Sequence, residues 1–120
     1  MVNTVPDMAL RGQMAEKAKA KCTRFNGFSR ELPSDWGPYK IINPSSGIPF
    51  TDDTAWELII RLLMSPECTW EFVELEKPPR VKAIFTEWTL VEGQPKLYIK
   101  IHLGAGGKIF GRSFHYSYKY

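Results

Sequence analysis

Leu97-Tyr98-Ile99-Lys100-Ile101-His102-Leu103 alternates without a break between an aliphatic side chain and a polar or aromatic one. Successive Cβ atoms of a pleated backbone point to opposite sides, so a period of two marks a strand with one buried face. A helix would scatter Leu97, Ile99, Ile101 and Leu103 around its circumference. The strand needs partners on its flanks and an apolar layer beneath, and the rest of the chain is organised to supply them.

The flanks lie in the adjoining sequence. Residues 81–91 and 108–118 are rich in β-branched and aromatic side chains. They join the central strand through Glu92-Gly93-Gln94-Pro95 and Gly104-Ala105-Gly106-Gly107, turn sequences of hairpin length. The glycine-rich turn links two strands, not a strand and a helix, so it is no phosphate loop. A further strand over residues 69–75 precedes them, closed by Lys77-Pro78-Pro79.

With Val91 facing Lys96, Leu97, Ile99, Ile101 and Leu103 oppose Leu90, Trp88, Thr86 and Ile84 on one face. Tyr98, Lys100 and His102 then oppose Thr89, Glu87 and Phe85 on the other, with Glu87 directly across from Lys100. The last strand divides into Phe110, Arg112, Phe114, Tyr116 and Tyr118 against Ile109, Gly111, Ser113, His115 and Ser117. The glycine-rich turn decides which set joins the polar face, and a slip of one residue exchanges them.

The apolar layer is a core helix over residues 51–65. Thr51-Asp52-Asp53 offers N-cap oxygens and negative charge to the positive helix end, Thr54-Ala55-Trp56-Glu57 fits a capping box, and Ser65-Pro66 stops it. Trp56, Ile59, Ile60 and Leu63 recur at helical spacing, widened by Ala55, Leu58 and Leu62. A basic helix over residues 1–23 carries a thin stripe of Leu10, Met14 and Ala18 beside Lys17, Lys19 and Lys21, and Gly12 weakens it. Between the helices, residues 24–50 hold Pro33, Pro38, Pro44 and Pro49 and read as a proline-rich loop with at most one short strand, at 39–42, and with Lys40 in reach of a site. The expected fold is α+β, one domain over residues 1–120. Its amino-terminal helices pack on one face of a four-stranded antiparallel β-meander spanning residues 69–118.

Composition restricts the partners. No apolar run nears the roughly 20 residues a bilayer span needs, and residues 1–10 lack the basic-then-apolar pattern of a secretory signal. A cytoplasmic protein with no membrane partner is the expectation. Cys22 and Cys68 are isolated and the two histidines do not cluster, so free thiols are expected, with no metal site and no cofactor. The net charge of +3 conceals segregation: residues 1–30 carry +4, residues 31–76 carry −7 and residues 77–120 carry +6. A basic sheet suits a polyanion such as RNA; equally, the acidic middle can neutralise the basic ends within the fold.

Chemistry concentrates on the polar face. Glu87, Arg112, His102 and His115 are the candidate catalytic residues, and Lys100, Ser113, Lys82, Tyr98, Tyr116 and Tyr118 the candidate substrate-binding ones. Cleavage of RNA without a metal needs a base for the 2′-hydroxyl proton, an acid for the leaving oxygen and a fixed cation for the charged phosphorane. Glu or His serves as base, His as acid, Arg or Lys as clamp. The plainer reading of Glu87 and Lys100 is a cross-strand ion pair, and that of His102 is a surface residue. Arg112 beside Gly111 is less easily dismissed, because a glycine permits close approach.

Two helical segments followed by an antiparallel meander resemble the barnase and RelE class of small endoribonucleases. The central strand, running through its glycine turn into Gly111-Arg112-Ser113-Phe114-His115, is similar to the carboxy-terminal hairpin of MqsR-like toxins. The resemblance implies a concave sheet face that binds RNA, catalysis without metal, and an inhibitory protein partner for toxin members. It makes Arg112 and His115 the phosphate clamp and the acid or base, with Glu87 or His102 as second proton-transfer group. The function expected is a metal-independent endoribonuclease, the toxin of a toxin–antitoxin or similar conflict system. The alternative is a non-catalytic nucleic-acid- or protein-binding module such as a phage or plasmid inhibitor.

Overall fold

In the computed structural model, which describes residues 5–25, 35–75 and 81–117, the apolar spacing of the core helix is realised as α2, Asp52–Met64. Ala55, Trp56, Leu58, Ile59, Leu62 and Leu63 are its buried side. Its capping box lies one turn earlier than the Thr54–Glu57 pattern suggests. Thr51 is the extended N-cap, its Oγ1 accepts from Thr54 N at 3.2 Å, and its own N–H donates to Thr54 Oγ1 at 2.8 Å.

Helix α1, Met8–Lys19, starts where Asp7 accepts from Leu10 N at 2.8 Å, and is shorter at both ends than residues 1–23. Met14, Ala15 and Ala18 are buried, and so is Arg11. The Arg11 guanidinium caps the far end of α2: Nε donates to Leu63 O at 2.8 Å, and Nη2 to Leu62 O at 2.9 Å and Ser65 O at 2.6 Å. A cation bonded to the last carbonyls of a helix satisfies orphan acceptors and opposes the negative dipole end. Arg11→Met keeps the stem and strands the Leu63 carbonyl, while Leu62 O keeps the Trp70 indole N–H and Ser65 O keeps the Cys68 N–H; a loss of about 1–3 kcal/mol is expected, read as a lower urea midpoint at unchanged slope.

The sheet has six strands among the described residues, in the order β1-β6-β5-β4-β3 with β2 also on β6. They are β1 (Arg24–Phe25), β2 (Asp35–Trp36), β3 (Glu71–Glu74), β4 (Lys82–Trp88), β5 (Leu97–Leu103) and β6 (Ile109–Tyr116). Strands β3 to β6 form the antiparallel meander. The expected four strands are corrected to six and the sheet to a mixed one: β1 and β2 run parallel to β6, with Arg24 at Ile109 and Asp35 at Ser113. The proline-rich loop thus feeds the outer edge of β6. Residues 39–42 are no strand: Pro38–Lys40 is a 3-10 turn, and Ile42 forms only an isolated bridge to Pro49.

Register departs from expectation twice. Between β4 and β5 it moves by two residues, so Glu87 lies opposite Tyr98, Lys100 opposite Phe85 and Trp88 opposite Leu97. The cause is a longer turn, with Gly93 at φ +85° and Gln94 N bonded to Val91 O, which ends β4 at Trp88. An even shift keeps each side chain on its expected face but removes the direct Glu87–Lys100 pairing. Between β5 and β6 a β-bulge interrupts the ladder: Lys100 faces Ser113 whereas Ile101 faces Gly111, leaving Arg112 as the extra residue. Neither half of the expected division of β6 therefore holds throughout. Ile109 and Gly111 before the bulge, and Phe114 and Tyr116 after it, share the helix face; Phe110, Ser113 and His115 share the outer face.

The core packs Trp56, Ile59, Leu62 and Leu63 of α2 with Met14 and Ala18 of α1 against Ile84, Leu97, Ile99, Ile101, Ile109 and Phe114. Trp36 of β2 enters this layer, its ring 5.2 Å from Trp56 and 5.5 Å from Phe114. It packs against Gly111, where a Cβ would come within 2.5 Å of the indole. Cys68 is buried and Cys22 exposed, both as free thiols. Asp53 binds Lys21 at 3.0 Å and Arg24 at 2.7 Å, a local neutralisation of the basic amino-terminal segment by the acidic middle. No helix among the described residues is long and apolar enough to cross a membrane.

Candidate functional site

Alternation along β4, β5 and β6 lays rows of side chains across the outer face. One row runs Asp35, Ser113, Lys100, Phe85, Glu71, and the next His115, Tyr98, Glu87. Aromatic rings tie them together: Phe85 stacks on Tyr98 with centroids 5.7 Å apart, and Tyr98 on His115 at 5.4 Å. A third row brings Phe25, Phe110 and His102 side by side, with the His102 ring parallel to Phe110 at 4.7 Å. His102 was expected beside Phe85; the register shift takes it away.

Four titratable groups on this face depart from their ordinary behaviour. Burial lowers the Lys100 pKa, and the Arg112 charge lowers it further while Asp35 opposes both. Burial, then the negative charges of Glu87 and Asp35, raise that of the Tyr98 hydroxyl. Burial lowers that of Arg112. His102, only 2% exposed, is pushed down to about 4 by burial and by the positive charge of Arg112. Its ring is therefore neutral near pH 7, and its Nδ1 has no hydrogen-bond partner among the described residues. Neutral and packed on Phe110, His102 is ill suited to donate a proton. Such convergence of shifted groups is characteristic of functional sites, though ion networks also produce it.

His115 differs. Its Nδ1 lies 2.9 Å from Tyr116 O. A carbonyl can only accept, so Nδ1 carries the proton, and the neutral ring holds its lone pair on Nε2. His115 borders a groove of about 610 Å³ between β2, the Pro38–Lys40 turn and the end of β6, with Asp35, Tyr39 and Lys40 on the other walls. Glu87 lines a separate cleft of about 350 Å³ with Glu67, Thr69 and Lys96. Asp35, not Glu87, thus shares a groove with His115.

Of the residues singled out in the sequence, Tyr98, Lys100, His102, Arg112, Ser113, His115 and Glu87 come together on the outer face. Tyr116 belongs to the helix face and meets the groove at its end. Lys82 falls on the helix side as well, exposed, with its ammonium 5.9 Å from the Phe72 ring. Tyr118 lies outside the described residues. Asp35 and Tyr39 escaped the sequence reading. Nothing periodic marks Asp35-Trp36-Gly37-Pro38-Tyr39, and only the nearness of Lys40 hinted at it. Among the described residues no three His, Cys, Asp or Glu side chains are placed to hold a metal ion. Comparison with known protein families, with curated proteins and with solved structures finds no match for this chain.

Proposed function

We propose that the protein cleaves RNA without a metal, in the groove and on the adjoining outer face. The observation that carries the proposal is the placement of His115, its tautomer held by Tyr116 O, in one groove with Asp35 and one row from Lys100. Asp35 as carboxylate takes the proton of the 2′-hydroxyl, whose oxygen attacks phosphorus. The 5′-oxygen leaves with the proton from Nε2 of protonated His115. The products are a 2′,3′-cyclic phosphate and a 5′-hydroxyl, and the ring is left in the tautomer that the Tyr116 carbonyl favours. Lys100 and Arg112 supply the positive field for the phosphorane. An activity of this kind fits a toxin held in check by an inhibitory protein partner.

The test is incubation of the purified protein with total RNA and with a fluorescent single-stranded RNA in EDTA, beside His115→Ala and Asp35→Asn. Chelator-resistant cleavage with cyclic phosphate ends is expected, reduced at least about a hundredfold in His115→Ala with the circular dichroism spectrum unchanged. Intact RNA, or variants as active as the parent, overturns the proposal.

One observation favours a second reading. The Phe85–Tyr98–His115 stack beside Lys100 resembles the aromatic and cationic platforms that hold single strands without cutting them. Under it no product forms, and Tyr98→Ala and Lys100→Ala weaken binding as much as His115→Ala.

A further inference from the structure

Tyr39 is the most exposed large side chain with apolar character among the described residues, at 63%. Single exposed apolar residues are commonplace, but three features set this one apart. Its direction is imposed by the backbone: the neighbours Pro38 and Ile41 are buried, and the turn is pinned to β6 by Gly37 N donating to Phe114 O at 3.1 Å. Ile41 N–H closes the turn on Pro38 O at 3.0 Å. Its ring borders the groove that also contains His115. Lys40 holds its ammonium 5.8 Å from the ring centroid, a cation and a π-face presented together. The groove volume, about 610 Å³, is in the range of sites for molecules of nucleotide size.

We infer that the Pro38–Lys40 turn is a subsite for one unpaired nucleotide of a single-stranded nucleic acid, its base stacking on Tyr39 and its phosphate held by Lys40. The inference rests on the reading of the groove as an RNA site and adds the class of substrate, because a base paired in a duplex has no free face to offer a ring on a protruding turn. A strand seated this way runs from the turn past His115 toward Tyr98 and Lys100. Lys40 is the lysine that lines the groove, and it holds the nucleotide's phosphate beside the Tyr39 ring.

The experiment uses fluorescence anisotropy with a 2′-O-methyl octaribonucleotide, which lacks the attacking hydroxyl and so reports binding alone. Tyr39→Ala is expected to weaken binding by about tenfold or more, the size of one base–aromatic stack. Tyr39→Trp is expected to restore it, and Lys40→Gln to reduce the salt slope by about one. Octamers carrying one abasic nucleotide at each position in turn complete a double-mutant cycle. At one position, loss of the base weakens the parent and leaves Tyr39→Ala unchanged. The same octamer annealed to its complement binds the parent no better than it binds Tyr39→Ala. Because Tyr39 is exposed, thermal melting of the variants should match the parent. Tyr39→Ala binding like the parent, or no abasic position coupled to Tyr39, overturns the inference even where RNA is cleaved. Coupled binding without any cleavage upholds the subsite and overturns the nuclease reading.

Discussion

Trp70→Ala is expected to cost about 4 kcal/mol of unfolding free energy, a large share of what a domain of this size has. Trp70 sits just before β3 with no exposed surface, and its Nε1 donates to Leu62 O at 3.1 Å, the carbonyl that also accepts from Arg11. The indole and the guanidinium thus converge on one carbonyl in the last turn of α2, and the Arg11→Met, Trp70→Ala double variant should lose more than the two single losses added, because only it leaves Leu62 O without a side-chain donor. Trp56 offers a contrast. It is equally buried, yet its Nε1 has no hydrogen-bond partner among the described residues. Trp70→Phe gives up a bonded donor, whereas Trp56→Phe removes a donor already deprived of water. Urea unfolding should therefore show the larger loss for Trp70→Phe. Equal losses would refute this assignment of donors.

Acid is expected to destabilise the fold through His102. Its folded pKa, about 4, lies below the ordinary 6.5. Between those values the unfolded chain binds the proton and the native state does not, so stability rises with pH across that window. The stabilisation is present above about pH 6.5, falls as the pH drops toward 4, and is then exhausted. The whole effect is roughly 3 kcal/mol. Below the window the imidazolium would stand near Arg112. His102→Phe retains an aromatic ring against Phe110 and removes the titration. The measurement is the difference in unfolding free energy between parent and variant from pH 7 to pH 4, in which the carboxylates common to both cancel. A flat difference would show that burial of His102 leaves its proton affinity unchanged.

The sequence revealed faces more readily than partners. Strict alternation from Leu97 to Leu103 predicted which side of β5 is buried, and the two-residue shift against β4 left that intact because it was even. The same shift separated Glu87 from Lys100, since pairing depends on where the turn begins, and eight residues separate Trp88 from Leu97 with several places to turn. The bulge at Arg112 was hidden because Phe110-Gly111-Arg112-Ser113-Phe114 alternates in composition straight through it; only the opposite strand shows that one residue is extra. Strands of two residues, such as β1 and β2, have no period to detect. Asp35 therefore remained invisible until β6 supplied its neighbour Ser113. The cap of α2 was ambiguous for a local reason: Thr51 and Thr54 both suit an N-cap, and the extended backbone at Thr51 decides between them.

The parallel pairing of β2 with β6 also determines when the groove can exist. Strands β3 to β6 meet their neighbours across short connections, whereas Asp35 reaches Ser113 only by closing a loop that encloses α2 and most of the sheet. Closing that loop costs more chain entropy than closing any hairpin, and it is repaid only once the edge of β6 is in place. During refolding, secondary structure should return first and the groove last, so that a chain with a complete meander still lacks the wall that carries Asp35 and Tyr39.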